Sequence, residues 1–170
     1  SSWVLLTITD GGSSWNLVVD RAADVVWYQA GDSGEEAWVT EPDMGEGGLL
    51  YMSLTAGSED VWLEHLDLAT KDRLSKVAVP EGHHDIAPLP GGQVAVLTED
   101  IRPWYYESFD VWMNLVGDAI VLVELDGTST TLFSTWDWAD PSERELTEGE
   151  LGSTALPWTH LNALDYRAST

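Results

Sequence analysis

One local pattern occurs three times along the chain: an apolar strand that ends in aspartate, a turn, and a second apolar strand. The three hairpins are Trp15–Gln29, Val61–Val79 and Ala119–Ser134, and their strand-end aspartates are Asp20, Asp67 and Asp126. The aspartates are 47 and 59 residues apart, about the length of one four-stranded blade, with an insertion in the second interval. This repeat predicts an all-β fold, a β-propeller fragment of about three four-stranded blades. A β-sandwich is the alternative that the periodicity leaves open.

Apolar runs bounded by turn residues predict the remaining strands. They are Trp3–Thr9, Leu49–Leu54, His84–Leu89 and Gln93–Thr98. The dipeptide Asp126-Gly127 between two apolar runs is the clearest hairpin signal in the chain. Gly31–Gly48 is rich in glycine and acidic residues and is predicted to be a loop.

Three further segments carry weaker signals. Asp100–Gly117 is rich in aromatic residues and is predicted to be the irregular insertion between the second and third repeats. Asp140 followed by Pro141 is typical of a helix start and predicts a short helix to about Leu146. Pro157–Tyr166 is predicted to begin another strand-like unit.

The length predicts a single domain, residues 1–170, which we interpret as a partial propeller truncated at both ends. Propellers close with about 4–8 blades, so three blades would form an incomplete ring. An open ring exposes strand edges, and pairing of copies through these edges is a further prediction. The segment that begins at Ser1 shows no signal peptide.

The chain is strongly acidic, with 30 acidic and 7 basic residues and a formal net charge of −23. Such a surface repels phosphate backbones, so nucleic acid and anionic membrane surfaces are poor partners. The 44% of apolar residues predicts a packed core, while no run approaches the roughly 20 apolar residues of a membrane span. No cysteine is present, which excludes disulfides, thiolate metal sites and cysteine nucleophiles.

The candidate chemistry centres on histidine, which can act as acid, base, nucleophile or metal ligand near neutral pH. His84 and His160 each open a segment predicted to be an innermost strand, so their side chains are expected to meet across the central channel. His83 can face away, because neighbouring residues of a strand point to opposite faces. His65 lies in the middle of a strand and is interpreted as a surface or packing residue.

Arg102 follows the strand after His84 and is one of only seven basic residues. Beside two histidines, its guanidinium would form a site for a tetrahedral oxyanion such as sulfate or phosphate. The alternative is an ion pair with Glu99 or Asp100. Trp104 and Tyr105 come next and could line a pocket for an aromatic ligand, or belong to a loop folded on its own aromatic residues.

A metal site is the competing interpretation of the histidines. Its ligands would be His83, His84, Asp85 and Asp165. Their spacing matches no standard zinc pattern, and the chain has neither a phosphate-binding glycine loop nor a nucleophile elbow. The sequence therefore predicts no metal and no cofactor.

Several segments resemble the arylsulfotransferases that work without PAPS. Gly82–Ile86, with the turn at Leu89–Gly92, resembles the family's His-His-Asp-hydrophobic segment. Trp158–Tyr166 resembles its Trp-x-His-hydrophobic-Asn-x-hydrophobic-x-Tyr segment. Ala119–Gly127, followed by Thr131–Asp137, resembles its hairpin of strand, Asp-Gly, strand and Trp-Asp. The resemblance spans most of the chain.

The resemblance implies a six-bladed propeller that moves a sulfuryl group from an aryl sulfate to a phenol without a nucleotide cofactor. It implies a sulfated histidine intermediate, with His160 as the nucleophile and His84 either assisting as acid or base or stabilising the sulfuryl oxygens. Arg102 lies where the family has its sulfate-binding arginine, with His83, Trp104 and Tyr105 as candidates for binding the substrate. Asn162 is a candidate for orienting His160. A periplasmic or extracellular location also follows from the resemblance.

Two other functions are compatible with the sequence. A non-catalytic secreted propeller would bind a ligand or a protein partner through the same segments. An assembly protein would pair through its open edges and form dimers or larger species. Loss of activity with retained folding on substitution of His160 would favour the enzyme over both.

Overall fold

The computed structural model describes residues 3–10, 13–30, 43–45, 48–54 and 60–167 of the 170-residue chain. Within them, twelve strands form three sheets. The strands are β1 (Val4–Asp10), β2 (Ser13–Val19), β3 (Val25–Ala30), β4 (Asp43–Gly45), β5 (Gly48–Leu54), β6 (Val61–Leu66), β7 (Arg73–Ala78), β8 (Gly82–Pro88), β9 (Val94–Tyr106), β10 (Val111–Val123), β11 (Ser129–Ser134) and β12 (Ala155–Pro157). Helical structure in the described residues is limited to three single 3₁₀ turns, at Thr135–Asp137, Pro141–Glu143 and Glu148–Glu150.

Each sheet is built from strands that are consecutive along the chain and antiparallel to their neighbours. The orders are β1-β2-β3, β4-β5-β6-β7 and β8-β9-β10-β11, and β12 joins the third sheet by pairing in parallel with β10. Four consecutive antiparallel strands form the blade of a propeller. The prediction of an all-β propeller fragment is therefore confirmed.

The repeated aspartates lie at equivalent positions in the three sheets, in the turns that precede β3, β7 and β11. The Oδ1 atoms of Asp20, Asp67 and Asp126 each accept a hydrogen bond from a backbone N–H two residues ahead, at 2.8–2.9 Å. These bonds favour the carboxylate form and lower the pKa of Asp67 and Asp126. The sequence repeat is therefore a repeat of turn chemistry.

Apolar side chains on both faces of β5 join the three sheets. On one face, Leu49 and Tyr51 pack with Leu5 and Trp27 of the first sheet. The indole N–H of Trp27 also donates to the Leu68 carbonyl at 2.8 Å. The second sheet is thus buried against its predecessor.

The opposite face of β5 makes the larger core. Leu50 and Met52 pack there with Ile86, Val94 and Val96 of the third sheet. Because successive side chains of a strand point to opposite faces, one strand can serve both interfaces. This stacking of sheets on each other through both faces is the packing of adjacent propeller blades.

A charged residue, Glu64 of β6, is completely buried in the second sheet. Its carboxylate accepts hydrogen bonds from Tyr51 Oη at 3.0 Å and Ser53 Oγ at 2.6 Å, and pairs with Arg73 Nε at 2.6 Å and Lys76 Nζ at 3.3 Å. A buried carboxylate is tolerated when it is paired and its lone pairs are satisfied. Glu64 is therefore a structural element of this sheet.

Two expectations for the third sheet are wrong. Asp100–Gly117 is not irregular, because β9 and β10 pair along thirteen residues each, and only Glu107–Asp110 forms a turn. The solvent-facing side of these strands carries aromatic residues, including Trp112, which is 66% exposed. The sequence therefore lacks the alternation of apolar and polar residues by which a half-buried strand is recognised. Pro157–Tyr166 is a strand only at its first residue, where β12 ends, and it continues without strand pairing.

Two further expectations are correct only in part. Asp140 caps a helical turn through a bond from the Ser142 N–H at 2.9 Å, but the turn ends at Glu143 because Arg144 is extended. The predicted loop Gly31–Gly48 lies mostly outside the described residues, and its described part contains β4 and the first residue of β5. No helix in the described part of the chain is long and apolar enough to cross a membrane.

We expect Gly48→Ala to destabilise the protein by at least about 2 kcal/mol. A Cβ at residue 48 would lie 2.0 Å from the Leu66 carbonyl oxygen and 2.9 Å from His65 Nε2, so β5 and β6 would have to separate. Urea unfolding followed by tryptophan fluorescence measures the change. Gly149→Ala is the matched control, because no atom lies within 4 Å of its Cβ position. Equal unfolding free energies for the two variants would contradict the expectation.

Candidate active site

Three of the four histidines meet at one point, where β8 approaches the segment that follows β12. His84 Nε2 lies 2.9 Å from His160 Nε2. The ring centroids of His83 and His84 are 5.0 Å apart, those of His84 and His160 are 4.7 Å apart, and those of His83 and His160 are 6.2 Å apart. His84 and His160 are exposed, and His83 is half-buried. The structure thus brings together residues that are 76 positions apart.

An irregular stretch of β8 explains how neighbouring histidines reach the same site. The pairing of β8 with β9 shifts register between Gly82 and Ile86, and His84 has a φ of 56°, in the left-handed region. A bulge of this kind redirects side chains that would otherwise alternate between faces. Of the two possibilities for His83, the structure shows its ring beside those of His84 and His160 and not turned away from them.

The segment carrying His160 has no strand pairing of its own and is fixed from both ends. Before the histidine, Trp158 N–H donates to the Val116 carbonyl at 2.9 Å and Thr159 Oγ1 donates to Asp118 Oδ2 at 2.5 Å. After it, Leu164 N–H donates to Asp85 Oδ2 at 2.7 Å. These bonds place His160 against β8, although the expected inner strand at this residue is absent.

The histidines differ in their surroundings. Burial lowers the pKa of His83, positive charge on His84 or His160 adds to this effect, and the negative charge of Asp118 opposes it. His83 Nε2 lies 3.2 Å from Asp118 Oδ1, within ion-pair distance but outside hydrogen-bond alignment. Burial therefore favours the neutral form of His83.

The contact between His84 and His160 has a chemical consequence. A hydrogen bond between two imidazole nitrogens needs a proton on one nitrogen and a lone pair on the other. At 2.9 Å, one Nε2 is therefore a donor and the other is a lone-pair acceptor. Such a pair combines a proton donor with a nucleophile. Asn162 adds a bond from Nδ2 to the His160 carbonyl at 3.3 Å, which restrains the backbone of that residue.

Arg102 is engaged away from the histidines. Its Nε and Nη2 bind the two carboxylate oxygens of Asp100 at 3.0 and 2.7 Å, and its guanidinium lies 5.3 Å from the ring centroid of Trp136. In the β9–β10 register, Arg102 lies opposite Leu115, so the two side chains share a sheet face. Asp118 is three residues after Leu115 on β10, so its side chain is on the other face. The ion pair with Asp100, one of the alternatives expected from the sequence, is present.

Trp104 and Tyr105 line a different cleft, between the end of the β9–β10 hairpin and the segment around Arg144, with a volume of about 560 Å³. Glu99 lies opposite Asp118 in the β9–β10 register. Trp104 is five residues further along β9, which at ~3.4 Å per residue is a distance of about 17 Å. The structure therefore does not bring these aromatic residues to the histidine cluster.

The residues of the competing metal site do not converge either. Asp85 accepts bonds from the backbone N–H groups of Ile86 and Leu164, and Asp165 pairs with Arg167. In the described ranges, no group of three or more histidine, cysteine or acidic side chains is arranged to hold a metal ion. His65 is buried in β6, within the second sheet, in agreement with a packing role.

Comparison with known families identifies the chain. The family model for arylsulfotransferase (ASST) matches residues 4–170. The chain belongs to the arylsulfotransferase family. Comparisons with curated proteins and with solved structures found no match. The match covers all of the segments that carry the three clustered histidines.

Sequence reasoning missed two residues that contact the histidine cluster or its segment, Asp118 and Thr159. Asp118 interrupts the apolar run of β10 and is 1% exposed, and a lone carboxylate in such a run is the signal that could have found it. Thr159 carries no signal of its own, because its partner is 41 residues away. Asp85 was considered only as a metal ligand, whereas it fixes the backbone at Leu164.

We expect Asp85→Ala to lower the free energy of unfolding by about 2–3 kcal/mol, because two backbone N–H groups lose their buried acceptor. Hydrogen exchange at the Leu164 amide should accelerate by more than this global loss explains. Asp165→Ala is the control, since its pairing with Arg167 is exposed and contributes little. Unchanged exchange at Leu164 would show that Asp85 does not hold the segment.

Proposed function

We propose that this member of the arylsulfotransferase family transfers a sulfuryl group from an aryl sulfate to a phenol through a sulfated His160. The observation that carries the proposal is the 2.9 Å contact between His84 Nε2 and His160 Nε2. It pairs an imidazole lone pair with a proton donor, and nucleophilic attack by His160 requires that the entering aryl sulfate open this hydrogen bond and free the lone pair. The family match supports the substrate class.

In the first half-reaction, His160 Nε2 attacks the sulfur of the aryl sulfate. The bond from sulfur to the aryl oxygen breaks, and its electron pair leaves with that oxygen. His84 enters this step as an imidazolium, gives its Nε2 proton to the leaving oxygen and becomes a neutral imidazole. The products are a phenol and an N-sulfated His160. His83 stacks beside His160, at 6.2 Å between centroids, and shields one side of the site from water.

In the second half-reaction, the acceptor phenol gives its proton to His84 Nε2 and its oxygen attacks the same sulfur. The bond between sulfur and His160 breaks, and its electron pair returns to Nε2. The aryl sulfate donor and the phenol acceptor thus react at the same two histidines, and His84 gives a proton in the first step and takes one in the second. No cofactor enters either step.

We expect His160→Ala to reduce phenol release from a chromogenic aryl sulfate by about 10³-fold or more, since the nucleophile is lost. The assay uses the longest native form of the protein, with a second phenol as acceptor. Peptide mapping after incubation with donor alone should find sulfate on His160. His65→Gln, a histidine of another sheet, should retain the rate when its unfolding midpoint is unchanged.

Two results would overturn the proposal. A folded protein that releases no phenol and forms no adduct would be better explained as a non-catalytic binding propeller. A sulfated peptide that lies elsewhere would move the nucleophile from His160 to another residue.

If Arg102 binds the sulfuryl oxygens, as the family resemblance implies, its pair with Asp100 must open and its side chain must turn from its own sheet face towards the histidines. If so, Arg102→Gln raises KM for the aryl sulfate roughly tenfold, the effect of one lost charge-assisted bond. Asp100→Asn should lower KM, because the carboxylate that binds the guanidinium through two hydrogen bonds is gone, while the backbone carbonyl of residue 100 still accepts the Trp136 indole N–H. Steady-state kinetics measure both, and an unchanged KM in both variants would remove Arg102 from the site.

A further inference from the structure

Asp118 is a buried carboxylate whose two oxygens contact two different parts of the histidine site. Oδ1 lies 3.2 Å from His83 Nε2, and Oδ2 accepts a hydrogen bond from the Thr159 hydroxyl at 2.5 Å. Thr159 immediately precedes His160. One side chain of β10 therefore contacts both His83 of β8 and the segment that follows β12.

The position of Asp118 is itself fixed. Its backbone N–H donates to Thr135 Oγ1 at 2.9 Å, and Thr135 Oγ1 donates to its carbonyl at 3.1 Å. Val116, two residues earlier, accepts the N–H of Trp158. A rigid strand residue with local backbone support can hold its partners within the narrow tolerance that catalysis needs.

The charges around Asp118 and His83 make this contact specific. Asp118 faces His83 from β10, His84 lies beside His83 on β8, and His160 faces it from the segment after β12. Two of these three neighbours are histidines, so Asp118 is the anionic group among them. A carboxylate this close to an imidazole favours its charged form and restrains its position by electrostatic attraction.

We propose that Asp118 is a positioning residue that orients His83 through Oδ1 and fixes His160 through Thr159 with Oδ2. It links the two histidine-bearing segments, so that movement of one moves the other. Its effect on sulfuryl transfer rests on the proposed function. The link between the two segments is a property of the fold and can be measured without turnover.

The test uses two substitutions and one control in the longest native chain. Asp118→Asn keeps the shape and an acceptor oxygen for Thr159 but removes the charge facing His83. Thr159→Val removes only the hydroxyl, and Thr159→Ser restores it. NMR titration of histidine rings labelled with ¹⁵N follows each imidazole, and aryl sulfate kinetics follow turnover.

In Asp118→Asn, we expect His83 to titrate at lower pH than in the parent protein, because the carboxylate that favours its charged form is gone. In Thr159→Val, we expect the ring signals of His160 to shift and kcat to fall roughly 10–100-fold with little change in KM. Thr159→Ser should restore both. A purely structural role for Asp118 would leave the His83 titration where it is.

The proposal is overturned if the His83 titration is unchanged in Asp118→Asn, or if Thr159→Val leaves the His160 signals unchanged. It is also overturned if Thr159→Ser fails to restore them. If Asp118→Asn does not fold, the Thr159 pair still decides the link to His160. If the parent protein releases no phenol, the proposed function fails, while the ring signals still decide the inference.

Discussion

Burial of both faces of the second sheet is the constraint on which the other features depend. Leu49 and Tyr51 pack towards one neighbouring sheet, and Leu50 and Met52 pack towards the other, so both faces of β5 are buried. A slip by one residue would exchange the side chains of the two interfaces, so packing against both neighbours holds the register. The third sheet begins at β8, and the histidine site is therefore built on a strand whose position is set by the core.

The site itself departs from regular strand structure in two ways, and each is compensated nearby. The left-handed backbone at His84 costs conformational energy, which the long β9–β10 ladder beside β8 can support. The segment around His160 lacks strand partners and depends on Asp85 and Thr159 for its position. Strained and irregular backbone held by a rigid surrounding structure is common at functional sites. The regular sheets thus provide rigid support, and the irregular segments place the histidine side chains.

The hairpins could be predicted because their signals are local. Asp20, Asp67 and Asp126 bond to backbone groups within their own turns, so a few residues suffice to specify each turn. The convergence of His84 and His160 was expected from the repeat and from the family resemblance. The bulge at His84 and the role of Asp118 were not, since both depend on pairing between segments that are distant in sequence. Local chemistry is readable from sequence, whereas register shifts and single buried charges need the tertiary structure.

Three buried carboxylates show how a chain with a net charge of −23 uses acidic residues inside its fold. Glu64 is paired with Arg73 and Lys76. Asp85 is satisfied by backbone N–H groups, which cannot change their charge. Asp118 differs, because its partners are a hydroxyl and an imidazole, and an imidazole gains or loses a proton near neutral pH. Of these three, Asp118 is therefore the one whose surroundings can respond to proton transfer at the histidines.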